Sequence, residues 1–180
     1  VKVAAVADRF WERYLELDPL MGTDIGDERY DGLLEDTSAA GRAAAARVYD
    51  ETLVEVAGID GSTLSEEERL TVDLVEFAAR RGLARADLNR LSAAAHNQLP
   101  AVILPAIASL QRVGDADGLE RYVARLRTLP AYFAGWAEVL RESIEAKQTS
   151  PALIVDRAIG QFERLLELDP ASSPGMTPVS

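Results

Sequence analysis

Val3-Ala4-Ala5-Val6-Ala7-Asp8-Arg9-Phe10-Trp11-Glu12-Arg13-Tyr14-Leu15-Glu16-Leu17-Asp18-Pro19 sets the reading of the whole chain. Val3, Val6, Phe10, Tyr14 and Leu17 recur three and four residues apart, so they fall on one stripe of an α-helix. Asp18-Pro19 ends it, because the residue before a proline is pushed out of the α region. The same period recurs along the chain, and strict alternation is nowhere sustained. The sequence therefore predicts an all-α fold, an irregular array of about seven helices.

Working outward, residues 18–37 read as a long loop. It holds Gly22, Gly26 and Gly32 among several acidic residues. At about 20 residues it is long for a compact domain, and so a segment packed on something or used for something. A second helix is expected over 39–57, ending at Gly58. The third starts at Ser65-Glu66-Glu67-Glu68, a capping box with Ser65 as N-cap. It runs through Leu70, Leu74 and Phe77 and past Gly82. Residues 99–110 are apolar nearly all round, which marks a buried helix. Asp115 or Asp117 caps the next helix, with Leu119, Tyr122, Val123 and Leu126 in its stripe. Pro130 reads as the start of a further one, with Phe133, Trp136, Leu140 and Ile144 facing inward. Ser150-Pro151 reads as an N-cap followed by proline at the first helical position. The last helix, 152–168, is expected to bury Val155, Ile159, Phe162 and Leu166.

That helix ends Leu166-Glu167-Leu168-Asp169-Pro170, identical to Leu15-Glu16-Leu17-Asp18-Pro19. No longer self-similarity accompanies the match, so it reads as one stop signal used twice. Residues 1–169 form the helical domain on this reading. Residues 170–180 have the Pro/Ser-rich composition of a flexible tail or linker.

Of the 180 residues, 48% are apolar, enough for one packed core. Nineteen basic and thirty acidic side chains leave a net charge of −11. That balance disfavours nucleic acid and anionic membranes as partners. No stretch approaches the roughly 18 apolar residues of a membrane span. No signal peptide is visible at the start of the sequence, which points to the cytoplasm. The chain begins with Val1 rather than Met, as a trimmed or partial chain would.

The chain has one histidine and no cysteine. Thiol chemistry and disulfides are excluded. A zinc centre of the usual kind needs several nitrogen or sulfur ligands, and a His-Glu-x-x-His pair cannot be built. No cofactor is expected in this chain. His96, with Asn97 and Gln98 beside it, is the candidate ligand-binding group; the commoner role for such a histidine is packing or capping at a helix junction. Asp24, Asp27, Glu28 and Asp31 could gather a hard cation, but their spacing does not match the calcium-loop pattern. Asp115-Ala116-Asp117-Gly118 lacks the later ligands of that pattern. Glu66, Glu67 and Glu68 at a helix start are explained by the macrodipole and the cap. Arg80, Arg81 and Arg85, with Arg121, Arg125 and Arg127, could hold a carboxylate or phosphate; pairing with neighbouring acids is the commoner role. Phe10, Trp11, Tyr14, Phe133 and Trp136 lie at helical spacing, which core packing explains. No catalytic residue is assigned.

Several stretches carry more identity than patterning requires. They are Phe10-Trp11-Glu12-Arg13-Tyr14-Leu15, Gly26-Asp27-Glu28-Arg29-Tyr30-Asp31, Gln98-Leu99-Pro100, Gly118 to Leu126 followed by Leu129-Pro130, and Trp136 to Gln148 with Ser150-Pro151. In their order and spacing they resemble a large bacterial family, domain of unknown function 885, from about Phe10 to Pro170. No single motif among them is diagnostic. The resemblance implies a long all-helical protein of the thermostable-carboxypeptidase type, a zinc metallopeptidase whose zinc helix lies further along the chain. The part similar to this sequence would wall the substrate groove. On that reading the segment lacks the zinc motif and is inactive alone, and zinc is expected only in a longer family member. It would exchange contacts with a missing C-terminal catalytic region, or self-associate through uncovered apolar faces, and meet a peptide substrate. The other reading is a stand-alone helical module binding a ligand or protein near His96.

Overall fold

The computed structural model describes the backbone of residues 3–92 and 99–179 and the side chains of 3–85 and 103–178. Among these residues there are seven α-helices, four short 3-10 helices and no strand. The α-helices are α1 (Val3–Leu17), α2 (Pro19–Asp24), α3 (Ala39–Ala57), α4 (Glu66–Ser92), α5 (Leu99–Leu110), α6 (Ala116–Glu145) and α7 (Ala152–Glu167). None is long and apolar enough to cross a membrane.

Local chemistry accounts for most helix ends. The Ser38 hydroxyl accepts from Gly41 N at the start of α3, and Asp115 accepts from Gly118 N at the start of α6. At α4 the capping box is complete: Ser65 N donates to the Glu68 carboxylate at 2.9 Å, and Glu68 N donates back to the Ser65 hydroxyl at 3.3 Å.

Four expectations are corrected. Pro130 does not start a helix; it lies inside the continuous α6. A proline there removes one backbone bond, and the helix is held on both sides of it by the buried residues Tyr122, Arg125, Tyr132, Gly135 and Val139. The segment after Pro19 is not an open loop: α2 and a 3-10 turn, Glu28–Tyr30, fill much of it. Ser150 does not cap α7, which starts without a side-chain cap. Leu70, Leu74 and Phe77 of α4, Leu140 and Ile144 of α6, and Val155, Ile159, Phe162 and Leu166 of α7 are exposed rather than buried.

Two cores organise the fold. In the first, Val6 and Phe10 of α1 meet Val56 of α3 and Val75 and Ala79 of α4. In the second, Ile103 and Ile107 of α5 meet Tyr122 and Tyr132 of α6, flanked by Leu20 and Leu34. The segment after α1 is tied to α6 by one side chain. Arg125 is fully buried, and its guanidinium donates to the carbonyls of Leu33 and Tyr30, to Thr23 Oγ1 and to Gln111 Oε1. Burial pulls its pKa down, and the four acceptors satisfy a charge that would otherwise be costly inside a protein. Residues 170–179, beyond α7, form two 3-10 helices, and the Tyr122 hydroxyl donates to the Gly175 carbonyl.

Candidate functional site

A cavity of about 470 Å³ opens at the seam of the two cores, walled by α1, α3, α4 and α6. Phe10 and Tyr14 come from α1, Tyr49 from α3, Ala78 and Gly82 from α4, and Trp136 from α6. The segment joining α2 to α3 closes one side with Glu35 and Asp36. That segment is pinned to α6 at Thr37, whose hydroxyl donates to the Tyr132 carbonyl at 2.7 Å. It passes so close to Gly135 that a Cβ there would collide with Thr37. Gly82 serves the wall in the same way, because the Tyr49 ring lies where its Cβ would be.

The charged groups of the cavity fall into two sets. Arg42 is satisfied: it donates to the Glu142 carboxylate at 2.6 Å and to the Thr37 carbonyl at 2.8 Å. Asp18 accepts from Met21 N, and Asp36 from Ser38 N. Glu16, Glu35, Arg81 and Arg85 line the cavity without a hydrogen bond or an ion pair among the described residues. Glu35 reaches solvent through the cavity, yet protein surrounds most of its carboxylate. That burial holds its pKa above the usual carboxylate range; Asp18 pushes it the same way, Arg85 opposes, and Asp36 adds to the rise. Three tyrosine hydroxyls share this field. Burial raises Tyr14, with Asp18 adding and Arg85 and Arg81 opposing. Burial likewise raises Tyr49, and it pushes Tyr132 up to about 12, against the indole N–H of Trp136. That indole nitrogen is buried and lacks the geometry of a full hydrogen bond.

A concave site with apolar and aromatic walls and a few convergent polar groups of shifted pKa is the usual form of a binding pocket. This one can stack an apolar side chain, hold an anion at Arg81 and Arg85, and hold a cation at Glu35.

The candidates read from the sequence fall elsewhere. His96, Asn97 and Gln98 lie outside the described residues. Asp27 caps the 3-10 turn and pairs with Arg29, while Glu28 and Asp31 take Arg121 at 3.1 and 3.7 Å. Arg80 pairs with Glu76 one turn away, as neighbouring charges do. Arg125 departs from that pattern, bonding neutral acceptors instead of acids. Trp11, Tyr14 and Trp136 are wall residues of the cavity, beyond simple packing. Glu35 and Tyr49 were not singled out by sequence. One signal for them existed: Gly82 inside a long helix costs about 1 kcal/mol relative to alanine, which implies something large packed on it. Among the described residues no group of three His, Cys, Asp or Glu side chains is placed to hold a metal ion.

The family model described as bacterial protein of unknown function (DUF885) matches residues 19–180. No curated protein matches the chain.

Proposed function

We propose, from the premise that the chain belongs to the DUF885 family of bacterial proteins of unknown function, that it is the peptide-binding wall of a metallopeptidase-like hydrolase. It holds substrate in the cavity and contributes no hydrolytic residue. The observation that carries this reading is the cavity itself, with aromatic walls, both signs of charge and a volume in the range of ligand pockets, about 300–1,000 Å³. The donor set does not fit a zinc centre, since one histidine and no cysteine leave too few of the usual ligands. Zinc chemistry, in this proposal, belongs to residues outside these 180. The apolar face of α7 packs against a further helical surface, or against a second copy when that surface is missing.

The two tryptophans of the chain, Trp11 and Trp136, both line the cavity. Tryptophan fluorescence is therefore a built-in reporter. Titration with an apolar hexapeptide blocked at both ends is expected to give a saturable change, with the peptide recovered uncleaved. No change up to millimolar peptide defeats the proposal. A saturable response to small molecules but to no peptide favours the stand-alone binding module.

A further inference from the structure

The four charges of the cavity without an ion pair among the described residues, Glu16, Glu35, Arg81 and Arg85, are of both signs. Glu35 comes from the segment ahead of α3, while Arg81 and Arg85 lie one turn apart on α4. All three face one volume, and none is within ion-pair distance of another. Such a set is complementary to a molecule that carries both charges itself. Tyr14 and Tyr49 line the same volume; their rings suit an apolar side chain and, beside an ammonium, add cation–π attraction.

We infer that the cavity takes a small zwitterion, an apolar α-amino acid or an unblocked dipeptide, with its carboxylate at Arg81 and Arg85 and its ammonium at Glu35. Two neighbouring guanidiniums give the carboxylate charge-assisted hydrogen bonds, roughly twice as strong as neutral ones. Asp18, beside Glu35, reinforces the attraction for the ammonium. The inference rests on the reading of the cavity as a binding pocket, the part of the proposed function that it shares, and narrows the occupant to molecules with both ends free.

The test uses the intact chain and tryptophan fluorescence with six ligands: L-phenylalanine, its amide, its N-acetyl form, alanyl-phenylalanine, that dipeptide blocked at both ends, and the blocked hexapeptide. At least one unblocked zwitterion is expected to bind tenfold or more tighter than the forms lacking one charge, about 1.4 kcal/mol per tenfold. Whichever of phenylalanine and alanyl-phenylalanine binds tighter identifies the free amino acid or the dipeptide as the natural form. In the Glu35→Gln variant the penalty for N-acetylation is expected to vanish while that for amidation stays. The Arg85→Gln variant should do the reverse. An unchanged circular dichroism spectrum and a melting temperature no lower than that of the wild type show that the variants fold. Equal binding of charged and blocked forms overturns the inference, as does loss of both penalties in either variant. If the blocked hexapeptide binds while no zwitterion binds better, the peptide-wall proposal survives and the inference falls. If the zwitterions bind and the hexapeptide does not, the inference stands and the peptide wall falls.

Discussion

Helices α1 and α7 carry the same amphipathic pattern and the same last five residues through the proline, yet they use them differently. Leu15 of α1 is 1% exposed, whereas Leu166, its counterpart in α7, is 85% exposed. Val3, Val6 and Phe10 are buried with Leu15, while α7 has no buried residue at all. The two aspartates after these helices do one local job: Asp18 caps α2 through Met21 N, and Asp169 caps a 3-10 turn through Ala171 N. Beyond the caps the halves diverge. The chain after α1 is locked to α6 by Arg125, and α1 walls the cavity. The face of α7 looks outward, touching the second core through an edge-on contact of Phe162 with Phe133. A helical stripe states that a face wants covering; it does not state what covers it.

The largest break in this comparison comes from the lock on the α1 side. Arg125→Met leaves buried carbonyls of Leu33 and Tyr30 without a donor, and should cost about 4 kcal/mol in urea denaturation. Next is Leu15→Ala, which opens a hole in a packed face and should cost about 3 kcal/mol. The matched change Leu166→Ala should stay within about 0.5 kcal/mol, as exposed substitutions do. Equal costs for the pair would mean that α7 is core after all. The smallest effect lies in the cavity beside the end of α1. The pKa of Glu35 is raised in the folded state, so folding is favoured while Glu35 is protonated, and that contribution is lost as pH rises through the folded pKa. Glu35→Gln should therefore match the wild type in acid below the ordinary Glu pKa and be the more stable of the two near neutrality. Denaturation midpoints across pH report the difference, and a variant less stable near neutrality would contradict the account.

Local chemistry was legible in the sequence. The bounds of α1, the stop at Gly58, the capping box at Ser65 and the cap at Asp115 all depend on residues within one or two turns. So does the all-α class, which follows from the period of the apolar positions. What escaped depends on contacts made far along the chain. Arg125 reaches back about ninety residues to two backbone carbonyls, and nothing in its own helix announces a buried hub. Pro130 reads locally as a start, but packing carries α6 through it. The stripe of α4 turned out to be set by Val75 and Ala79, with Leu70, Leu74 and Phe77 outside, because α1 and α3 cover the opposite side. The cavity brings together α1, the segment ahead of α3, α3, α4 and α6, so no single stretch could display it. For α7 the pattern was read correctly as amphipathic and wrongly as buried.

The account turns on the outward face of α7 being an interface surface rather than part of this chain's core. Sedimentation velocity over a concentration series, on the wild type and on an Ile159→Glu/Leu166→Glu variant, tests it directly. The wild type is expected to sediment faster as concentration rises, through association of uncovered apolar faces, while the variant keeps the mass of one chain and the same melting temperature. A wild type that stays monomeric at every concentration, or a variant that unfolds, would contradict it.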